Sequence, residues 1–340
     1  MQSEIVRTPE SKAVLGIGII GFGSVARIHL DAINLCKDAT VVAVCSTRKS
    51  EDTVSTSRPI WHPDFHQLLQ QSNVDVVAIC SPSGLHVEHA RAALIAGKHV
   101  VVEKPLALDL REAIELVELA KARGLMLASI VQMRFEEQNS QIKAMIAAGI
   151  LGKPILAEVL IPWYRDQSYY DAAAWRGTVD GDGGVLLNQA LHHVDLLCWF
   201  FGKISDVVGF TATLTHDIQA EDTAVASMKF TNGALGVVAA TTSAFPGTSA
   251  RLSLLFDAGR CVISGQEIIE WTFPNVAVPT SVHDHSNSGA SDPSRIGVSG
   301  HRAQWENIIH SLRRGSETAV TGQDALDTLS AILRCKDFAS

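Results

Sequence analysis

Short apolar runs alternate with longer segments of helical spacing between residues 13 and 130. The runs predict five buried strands, at 13–21, 40–45, 74–80, 99–103 and 125–130. The segments between them predict four helices, at 24–36, 64–71, 84–96 and 109–123. Asp64 and Asp109 are placed to cap two of these helices, and Gly97 and Gly124 to end two of them. Repeated strand–helix–strand units predict a doubly wound parallel sheet.

The pattern changes after residue 150. A helix is predicted at 185–201, and alternating residues predict strands at 204–213, 223–231, 234–243, 250–256, 260–264 and 268–273. Short turns join several of these strands, which indicates an antiparallel sheet. Residues 283–300 form a predicted polar loop, and two helices at 301–314 and 322–338 follow it. We therefore expect an α/β domain over 1–130 and an α+β domain with a large open sheet over 131–340, whose closing helices can pack back on the first domain.

Composition narrows the class of protein. With 46% hydrophobic and 19% charged residues the chain is globular, and a net charge of −8 offers no basic field to nucleic acid or to an anionic membrane. A small-molecule partner is expected instead. The six cysteines show no metal-ligand spacing and are expected to be reduced core residues, so no metal site is predicted. No secretory signal pattern or membrane span is visible, and we expect a cytoplasmic protein.

A glycine-rich turn follows the first predicted strand and opens the first helix: Gly21-Phe22-Gly23-Ser24-Val25-Ala26. In a G-x-G-x-x-A turn of this kind the first glycine allows a tight turn and the second lets the backbone approach a pyrophosphate. The small final residue allows the helix to pack closely on the strand. The setting predicts a dinucleotide site.

The end of the second strand indicates which dinucleotide binds. An NAD site usually has an acidic residue there for the ribose 2′-hydroxyl. Here the sequence continues Cys45-Ser46-Thr47-Arg48. Two hydroxyls and a guanidinium suit a 2′-phosphate, so the sequence favours NADP and leaves NAD open.

Two polar positions are candidates for the chemistry. Lys104 follows the fourth strand in Glu103-Lys104-Pro105, at the sheet edge where ligands of such folds bind. It could stabilise an alkoxide that develops on a substrate. In the helix at 185–201, regular helical geometry places Asn188, His192 and Asp195 on one stripe, which predicts a polar face with a titratable imidazole.

Several motifs together resemble the glucose-fructose oxidoreductase / inositol dehydrogenase / rhizopine catabolism (Gfo/Idh/MocA) family of NAD(P)-dependent oxidoreductases. The resemblance covers nearly the whole chain. It is carried by the turn at 21–23, by Glu103-Lys104-Pro105 and by the segments Ser81-Pro82-Ser83-Gly84-Leu85-His86, Trp175-Arg176-Gly177 and Gly183 to Asp195.

The resemblance implies a Rossmann domain and an open-sheet domain whose outer face forms a homodimer or homotetramer. It also implies hydride transfer between a nicotinamide and a ring carbon of a sugar, nucleotide sugar, glycoside or cyclitol. Lys104 matches the catalytic lysine and His192 the acid/base histidine, which Asp195 would support. Many members have an aspartate at the position of Asn188. The asparagine resembles the variant in the branch that acts on nucleotide-linked amino sugars and related glycosides.

The same resemblance assigns ligand contacts. The expected cofactor contacts are Gly21, Phe22, Gly23, Ser24, Val25, Ser46, Thr47, Arg48, Ser81, Pro82, His86, Glu103 and Lys104. The expected substrate contacts are Arg134, Tyr164, Arg165, Trp175, Arg176, Asn188, Gln189 and Asp195.

Two other classes of enzyme lack their motifs in this sequence. A short-chain dehydrogenase would need a tyrosine followed four residues later by lysine, and no tyrosine here has one. A serine hydrolase would need G-x-S-x-G, which does not occur. A catalytically inactive sugar sensor on the same fold stays open as the alternative, and the presence of both Lys104 and His192 favours an enzyme.

Overall fold

A six-stranded parallel sheet forms the first half of the chain. The computed structural model describes residues 14–47, 59–280 and 297–337. The strands of this sheet are β1 (Leu15–Ile20), β2 (Ala39–Cys45), β3 (Ile60–His62), β4 (Val76–Ile79), β5 (His99–Val102) and β6 (Leu127–Ser129). Their order is β3-β2-β1-β4-β5-β6. The predicted doubly wound sheet is confirmed; β3 was not predicted, because three residues are too few to show a periodic pattern.

Four helices cover this sheet: α1 (Ser24–Asn34), α2 (Phe65–Leu69), α3 (His86–Ile95) and α4 (Leu110–Ala122). The carboxylate of Asp64 accepts from the backbone N–H of His66, and that of Asp109 accepts from two backbone N–H groups of α4. Gly97 and Gly124 take φ values of 77° and 63° beyond α3 and α4. The predicted caps and stops are therefore confirmed.

The strand order reverses at β1, between β2 on one side and β4 on the other. The chain leaves β1 at Gly21, whose φ is 88°. A Cβ at Gly21 would lie 2.6 Å from the carbonyl carbon of Cys80 and from the amide nitrogen of Ser81, just after β4. Only glycine therefore allows these two loops to approach, and their approach forms the crevice in which ligands of such sheets bind.

The second half of the described chain is built around a seven-stranded sheet. Its strands are β7 (Pro154–Pro162), β8 (Ile204–Ala212), β9 (Thr223–Phe230), β10 (Leu235–Thr241), β11 (Arg251–Phe256), β12 (Gly259–Ser264) and β13 (Glu267–Trp271). The order is β13-β12-β11-β7-β10-β9-β8. Neighbouring strands are antiparallel except β7 and β10, which are parallel, so the predicted mostly antiparallel open sheet is confirmed.

The central strand β7 was not predicted. Its inner face carries Ala157, Val159 and Ile161, all buried, but its outer face carries Leu160, which is 48% exposed. Apolar residues on both faces remove the alternation by which a half-buried strand is recognised. Two helices between residues 131 and 180 were also missed, α5 (Glu137–Ala147) and α6 (Gln167–Asp171).

The helix predicted at 185–201 consists of two parts. Residues Val185–Ala190 form a π-helical turn, and α7 (Leu191–Phe201) continues from it. Two closing helices follow, α8 (Ser299–Arg314) and α9 (Gly322–Asp337). α9 contacts α4, α7 and β8, and α7 contacts β7. Helices α7 and α9 therefore cover one face of the seven-stranded sheet.

α8 packs against the first sheet rather than the second. Trp305 and Ile308 are fully buried in the same cluster as Leu15 and Ile17 of β1. The Trp305 indole N–H donates to His29 Nδ1 at 2.9 Å. The first core is therefore completed by residues from the far end of the chain.

The opposite face of the second sheet has no cover among the described residues. Its outward side chains include six apolar ones on four adjacent strands, between 39% and 69% exposed. These residues define the outer face: Leu160, Val208, Phe210, Val225, Leu235 and Val237.

Two further expectations concern the whole chain. All six cysteines are free, five of them buried and Cys198 half-buried, which confirms the prediction of reduced core residues. Burial raises the pKa of the Cys36 and Cys335 thiols to about 11. Within the described ranges, no helix has both the length and the apolar character needed to cross a membrane.

Candidate active site

A cleft of about 1060 Å³ lies along the carboxyl edge of the parallel sheet and reaches residues of the second half of the chain. Every expected cofactor contact lines it except Arg48, which lies outside the described residues. Three expected substrate contacts, Trp175, Arg176 and Asn188, also line it. Cofactor and substrate candidates therefore share one space.

The glycine-rich turn opens into this cleft. A Cβ at Gly23 would meet nothing within 4 Å, and α1 begins with neither a side-chain cap nor an acidic residue in its first turn. The first amides of α1 are thus left for a ligand, and the positive end of the helix favours an anionic one. These residues fit the pyrophosphate of a dinucleotide.

His86 joins the two loops that follow β4 and β5. Its Nδ1 lies 2.7 Å from the Pro105 carbonyl oxygen and its Nε2 lies 2.9 Å from that of Ser81. Because Pro105 follows Lys104 directly, the imidazole fixes the lysine loop relative to the expected cofactor contact Ser81.

Glu103 is a buried carboxylate that accepts hydrogen bonds from two groups. His29 Nε2–H donates to its Oε1 at 2.7 Å, a tautomer fixed by the Trp305 N–H on Nδ1, and the Lys104 backbone N–H donates to its Oε2 at 3.1 Å. Burial alone would raise the pKa of Glu103, but the hydrogen bond from His29 and the nearby His301, whose Nε2 lies 3.8 Å from Oε1, hold that pKa well below its usual range. The carboxylate is therefore ionised beside Lys104.

The same residues offer ligand atoms for a metal ion. Atoms of His29, Glu103 and His301 lie within 4.8 Å of one another. Both ring nitrogens of His29 are already hydrogen-bonded, to Glu103 and to Trp305. Hydrogen bonding therefore accounts for this cluster without an ion.

Lys104 projects toward the π-helical turn. Its Nζ donates to the Asn188 backbone oxygen at 2.5 Å and to Asn188 Oδ1 at 3.1 Å. An ammonium has three donors, so one remains for a substrate oxygen. Burial lowers the pKa of Lys104, and the charge of Arg165 lowers it further, whereas Glu103 and Asp182 raise it.

His192 lies in the first turn of α7, four residues after Asn188, and is not among the residues lining the cleft. Burial, and then the charge of Lys104, hold its pKa well below 6.5. No described residue hydrogen-bonds its Nδ1. The imidazole is therefore neutral near pH 7 and able to accept a proton.

Asp195 does not support His192. Its two oxygens accept from Arg134 Nε and Nη2, each at 2.7 Å, and Thr328 donates to it at 2.9 Å. Arg134 is buried, so its guanidinium requires an anionic partner. Neither Arg134 nor Asp195 is among the residues lining the cleft. The expected stripe assumed regular helical geometry, which the π-helical turn at Asn188 breaks.

An aromatic and cationic wall faces Lys104 across the cleft. The Arg176 guanidinium lies 4.3 Å from the Tyr169 ring centroid and 5.6 Å from that of Trp175. It donates to the Tyr169 carbonyl at 2.7 Å, and its Nε has no partner among the described residues. Tyr169 was not predicted as a site residue, because it belongs to a five-residue helix that carries no motif.

The remaining expected substrate contacts lie behind this wall. Arg165, 3% exposed, donates to the Tyr164 carbonyl at 2.8 Å and to Gln189 Oε1 at 3.2 Å. Gln189 in turn donates to the Tyr169 hydroxyl at 3.3 Å. Tyr164 packs edge-on against Phe245. Arg165 and Gln189 therefore support Tyr169, and none of the three expected contacts lines the cleft itself.

Comparisons with known proteins agree with this geometry. A family model described as an oxidoreductase family with an NAD-binding Rossmann fold matches residues 15–130. The model of the GFO/IDH/MocA C-terminal domain matches residues 139–265. Together the two matches cover well over half of the chain.

Individual relatives match a larger share of the chain than the two family models do. Myo-inositol 2-dehydrogenase of Thermotoga maritima is 28% identical over 254 residues, 72% of this chain and 73% of that protein. The WlbA dehydrogenase from Bordetella pertussis, solved with NADH and UDP-GlcNAcA, is 29% identical with a TM-score of 0.85 and 96% of each chain covered. The WlbA enzyme from Chromobacterium violaceum, in complex with the same two molecules, is 29% identical with a TM-score of 0.87, covering 98% of this chain and 96% of that one.

The role of Asp195 can be tested by substitution. Asp195→Asn should lower the free energy of unfolding in urea by about 3 kcal/mol, because the buried Arg134 guanidinium loses its charge partner. Asp324→Asn is the matched control, since this second partner of Arg134 is partly exposed, and it should cost about 1 kcal/mol or less. Wild-type stability combined with a changed pH profile of turnover would instead assign Asp195 to His192.

Proposed function

Because the chain belongs to the GFO/IDH/MocA family of NAD-binding oxidoreductases, as its motifs predicted, we propose that it transfers hydride between a nicotinamide and a ring carbon of a nucleotide-linked acidic sugar. Members of this family named among its relatives act on CH–OH groups, and the chain is an oxidoreductase of that kind. The observation that carries the proposal is the Lys104 ammonium, held by Asn188 between the dinucleotide turn and the Arg176 wall.

The acidic sugar is supported by the chemistry of the wall. Arg176 offers a cation whose Nε has no partner among the described residues, and Trp175 and Tyr169 offer ring faces. Such groups suit a carboxylate or phosphate together with a sugar or base. UDP-GlcNAcA, the molecule bound in the two WlbA structures, has these features. The asparagine at position 188 also resembles the variant in the branch that acts on nucleotide-linked amino sugars.

For the cofactor, we favour NADP over NAD. Ser46 and Thr47 follow β2 and line the cleft, and neither position carries the carboxylate that would repel a 2′-phosphate. Arg48 follows them in sequence and would supply the charge-assisted contact. The NADH complexes of the WlbA enzymes support a nicotinamide dinucleotide at this site and leave the choice between the two to measurement.

The chain's own residues divide the work of oxidation between them. A bound nicotinamide would supply the hydride acceptor. Neutral His192 takes the proton of the substrate hydroxyl, and the free N–H of Lys104 holds the oxygen as negative charge develops on it. In reduction both roles reverse.

A spectrophotometric screen tests the substrate and cofactor together. UDP-GlcNAcA, UDP-GlcNAc and myo-inositol are each supplied with NAD⁺ or NADP⁺, and absorbance of the reduced nicotinamide is followed. We expect kcat/KM to be highest for UDP-GlcNAcA, by about tenfold or more, because one charge-assisted contact contributes about 1.5–3 kcal/mol. NADP⁺ should bind about tenfold more tightly than NAD⁺.

Two arginine variants and a control sharpen that screen. Arg176→Ala should lower kcat/KM for UDP-GlcNAcA about tenfold and leave UDP-GlcNAc nearly unchanged, and Arg48→Ala should remove the NADP preference. Arg111→Ala, whose side chain is 90% exposed on α4, should change neither. Preference for myo-inositol would move the substrate class to cyclitols, and equal affinities for both cofactors would refute the role of Arg48.

The division of labour between Lys104 and His192 makes a second prediction. Lys104→Ala and His192→Ala should each lower kcat about 100-fold or more and leave cofactor binding intact. In the wild type, oxidation should fail only at an acidic pH well below 6.5, because burial lowers the pKa of His192 and delays its protonation to that range. It should fail again at alkaline pH below 10.5, where Lys104 loses its proton.

The variants also tell the two roles apart. His192→Ala should abolish the acidic limb of the pH profile and keep the alkaline one. If only Lys104→Ala loses turnover, the lysine is itself the proton carrier and His192 orients the substrate. Full activity in both variants would place the chemistry elsewhere.

The outer face is proposed to bind a second copy of the chain. It presents Phe210 at 69% exposure and Val225 at 49% as cross-strand neighbours, and contiguous exposed apolar side chains of this kind are typical of an interface. Phe210→Asp should convert a homodimer or homotetramer into a 36.5 kDa monomer in sedimentation at micromolar concentration. Ile95→Asp, also exposed but on α3, should not. A wild-type monomer under these conditions would overturn the assignment.

A further inference from the structure

A buried acid lies directly behind the amide that holds Lys104. Asp182 is 2% exposed and precedes the π-helical turn. Its Oδ1 accepts a short hydrogen bond from Asn188 Nδ2, and its Oδ2 accepts from the Gly177 backbone N–H at 2.8 Å. Carboxylate, amide and ammonium therefore form one chain, Asp182 to Asn188 to Lys104.

The carboxylate fixes which way the amide faces. An amide side chain has one donor end and one acceptor end, and a carboxylate only accepts. With its donor end on Asp182, Asn188 must turn its oxygen toward Lys104, where Nζ lies 3.1 Å from it. Without the acid, no other contact of the Asn188 side chain among the described residues would prevent the amide from rotating its NH₂ group toward the ammonium.

We propose that Asp182 is a positioning residue for Lys104. Asp182 orients the Asn188 amide, and across that amide its carboxylate supplies the negative charge that Asn188 lacks. The inference rests on the role of Lys104 in the proposed function. It assigns a purpose to an acid that the sequence motifs did not single out.

A purely structural role does not account for the same contacts. The loop before Asp182 is already closed by backbone hydrogen bonds from Asp182 and Gly183 to the Thr178 oxygen, both 3.1 Å. The side chain adds one bond to Gly177 and directs its other oxygen at Asn188. Burying a carboxylate is costly, and the raised pKa of Asp182 reflects that cost.

Other charged groups also act on Lys104, and the test has to separate them from Asp182. They come from four neighbouring segments of the chain: Glu103, Arg165, His86 and His192. None of them hydrogen-bonds Asn188 among the described contacts, so a substitution that exchanges only positions 182 and 188 leaves their charges in place.

The experiment compares Asp182→Asn with the double variant Asp182→Asn/Asn188→Asp. In the single variant two amides face one another and the charge is gone. In the double variant the amide at position 182 can still accept from Gly177 and donate to the carboxylate at position 188, whose second oxygen faces Lys104. All three hydrogen bonds are kept, and only the one between positions 182 and 188 changes its direction, while the charge moves one residue closer to the lysine. Asp180→Asn, at an exposed acid of the same loop, is the matched control.

The readout is the pH dependence of Lys104 acetylation by acetic anhydride, followed by mass spectrometry of the peptide that contains it. This measurement needs no substrate, so it stands even if the screen of sugars finds no turnover. The midpoint should fall by about one pH unit in Asp182→Asn, because the ammonium loses a nearby anion, and should lie at or above the wild-type value in the double variant. Asp180→Asn should leave it unchanged.

Turnover gives a second readout once a sugar is identified. The single variant should lose about tenfold in kcat with unchanged NADPH binding, and the double variant should return to within about threefold of the wild type. A wild-type acetylation midpoint in Asp182→Asn, or a midpoint in the double variant as low as in the single one, overturns the inference. If the single variant does not fold, the double variant decides alone: a midpoint below the wild-type value contradicts the proposal.

Discussion

The site depends on keeping an ammonium charged inside a protein. Lys104 is half-buried, and the loss of hydration favours its neutral form. Anionic and dipolar groups on both sides oppose this effect. On one side Glu103 stays ionised because His29, itself fixed by Trp305, donates to it, and on the other the π-helical turn presents the Asn188 oxygens. Elements from both ends of the chain therefore converge on a single nitrogen.

The sequence was most informative where chemistry and periodicity coincide. The turn at Gly21, the caps Asp64 and Asp109, and the strand that leads to Lys104 follow from local rules about φ angles, capping and buried runs. Each of these features needs only neighbouring residues. The six later strands were also located, because short turns separate them and several, such as β9 and β10, alternate between buried and exposed residues. The cleft contains the expected cofactor contacts that the structure describes.

Features set by distant contacts were not predictable in the same way. β7 has apolar residues on both faces, so no alternation marks it. The stripe of Asn188, His192 and Asp195 required regular helical geometry, and the π-helical turn together with the buried Arg134 sends Asp195 elsewhere. Tyr169 and Asp182 lie on short segments without a motif. Their importance arises only when the second half of the chain folds over the first.

The placement of α8 bears on how the protein is made. Trp305 and Ile308 fill the core of the first sheet, and Gln304 hydrogen-bonds the backbone of Ser129 at the end of β6 and of Val131 just beyond it. A nascent chain that ends soon after β6 lacks all three side chains. At about 5–20 residues per second the ribosome needs roughly 10 to 35 s to travel from there to α8. During that interval the dinucleotide-binding half exposes apolar surface that α8 later covers, which favours aggregation of the unfinished chain.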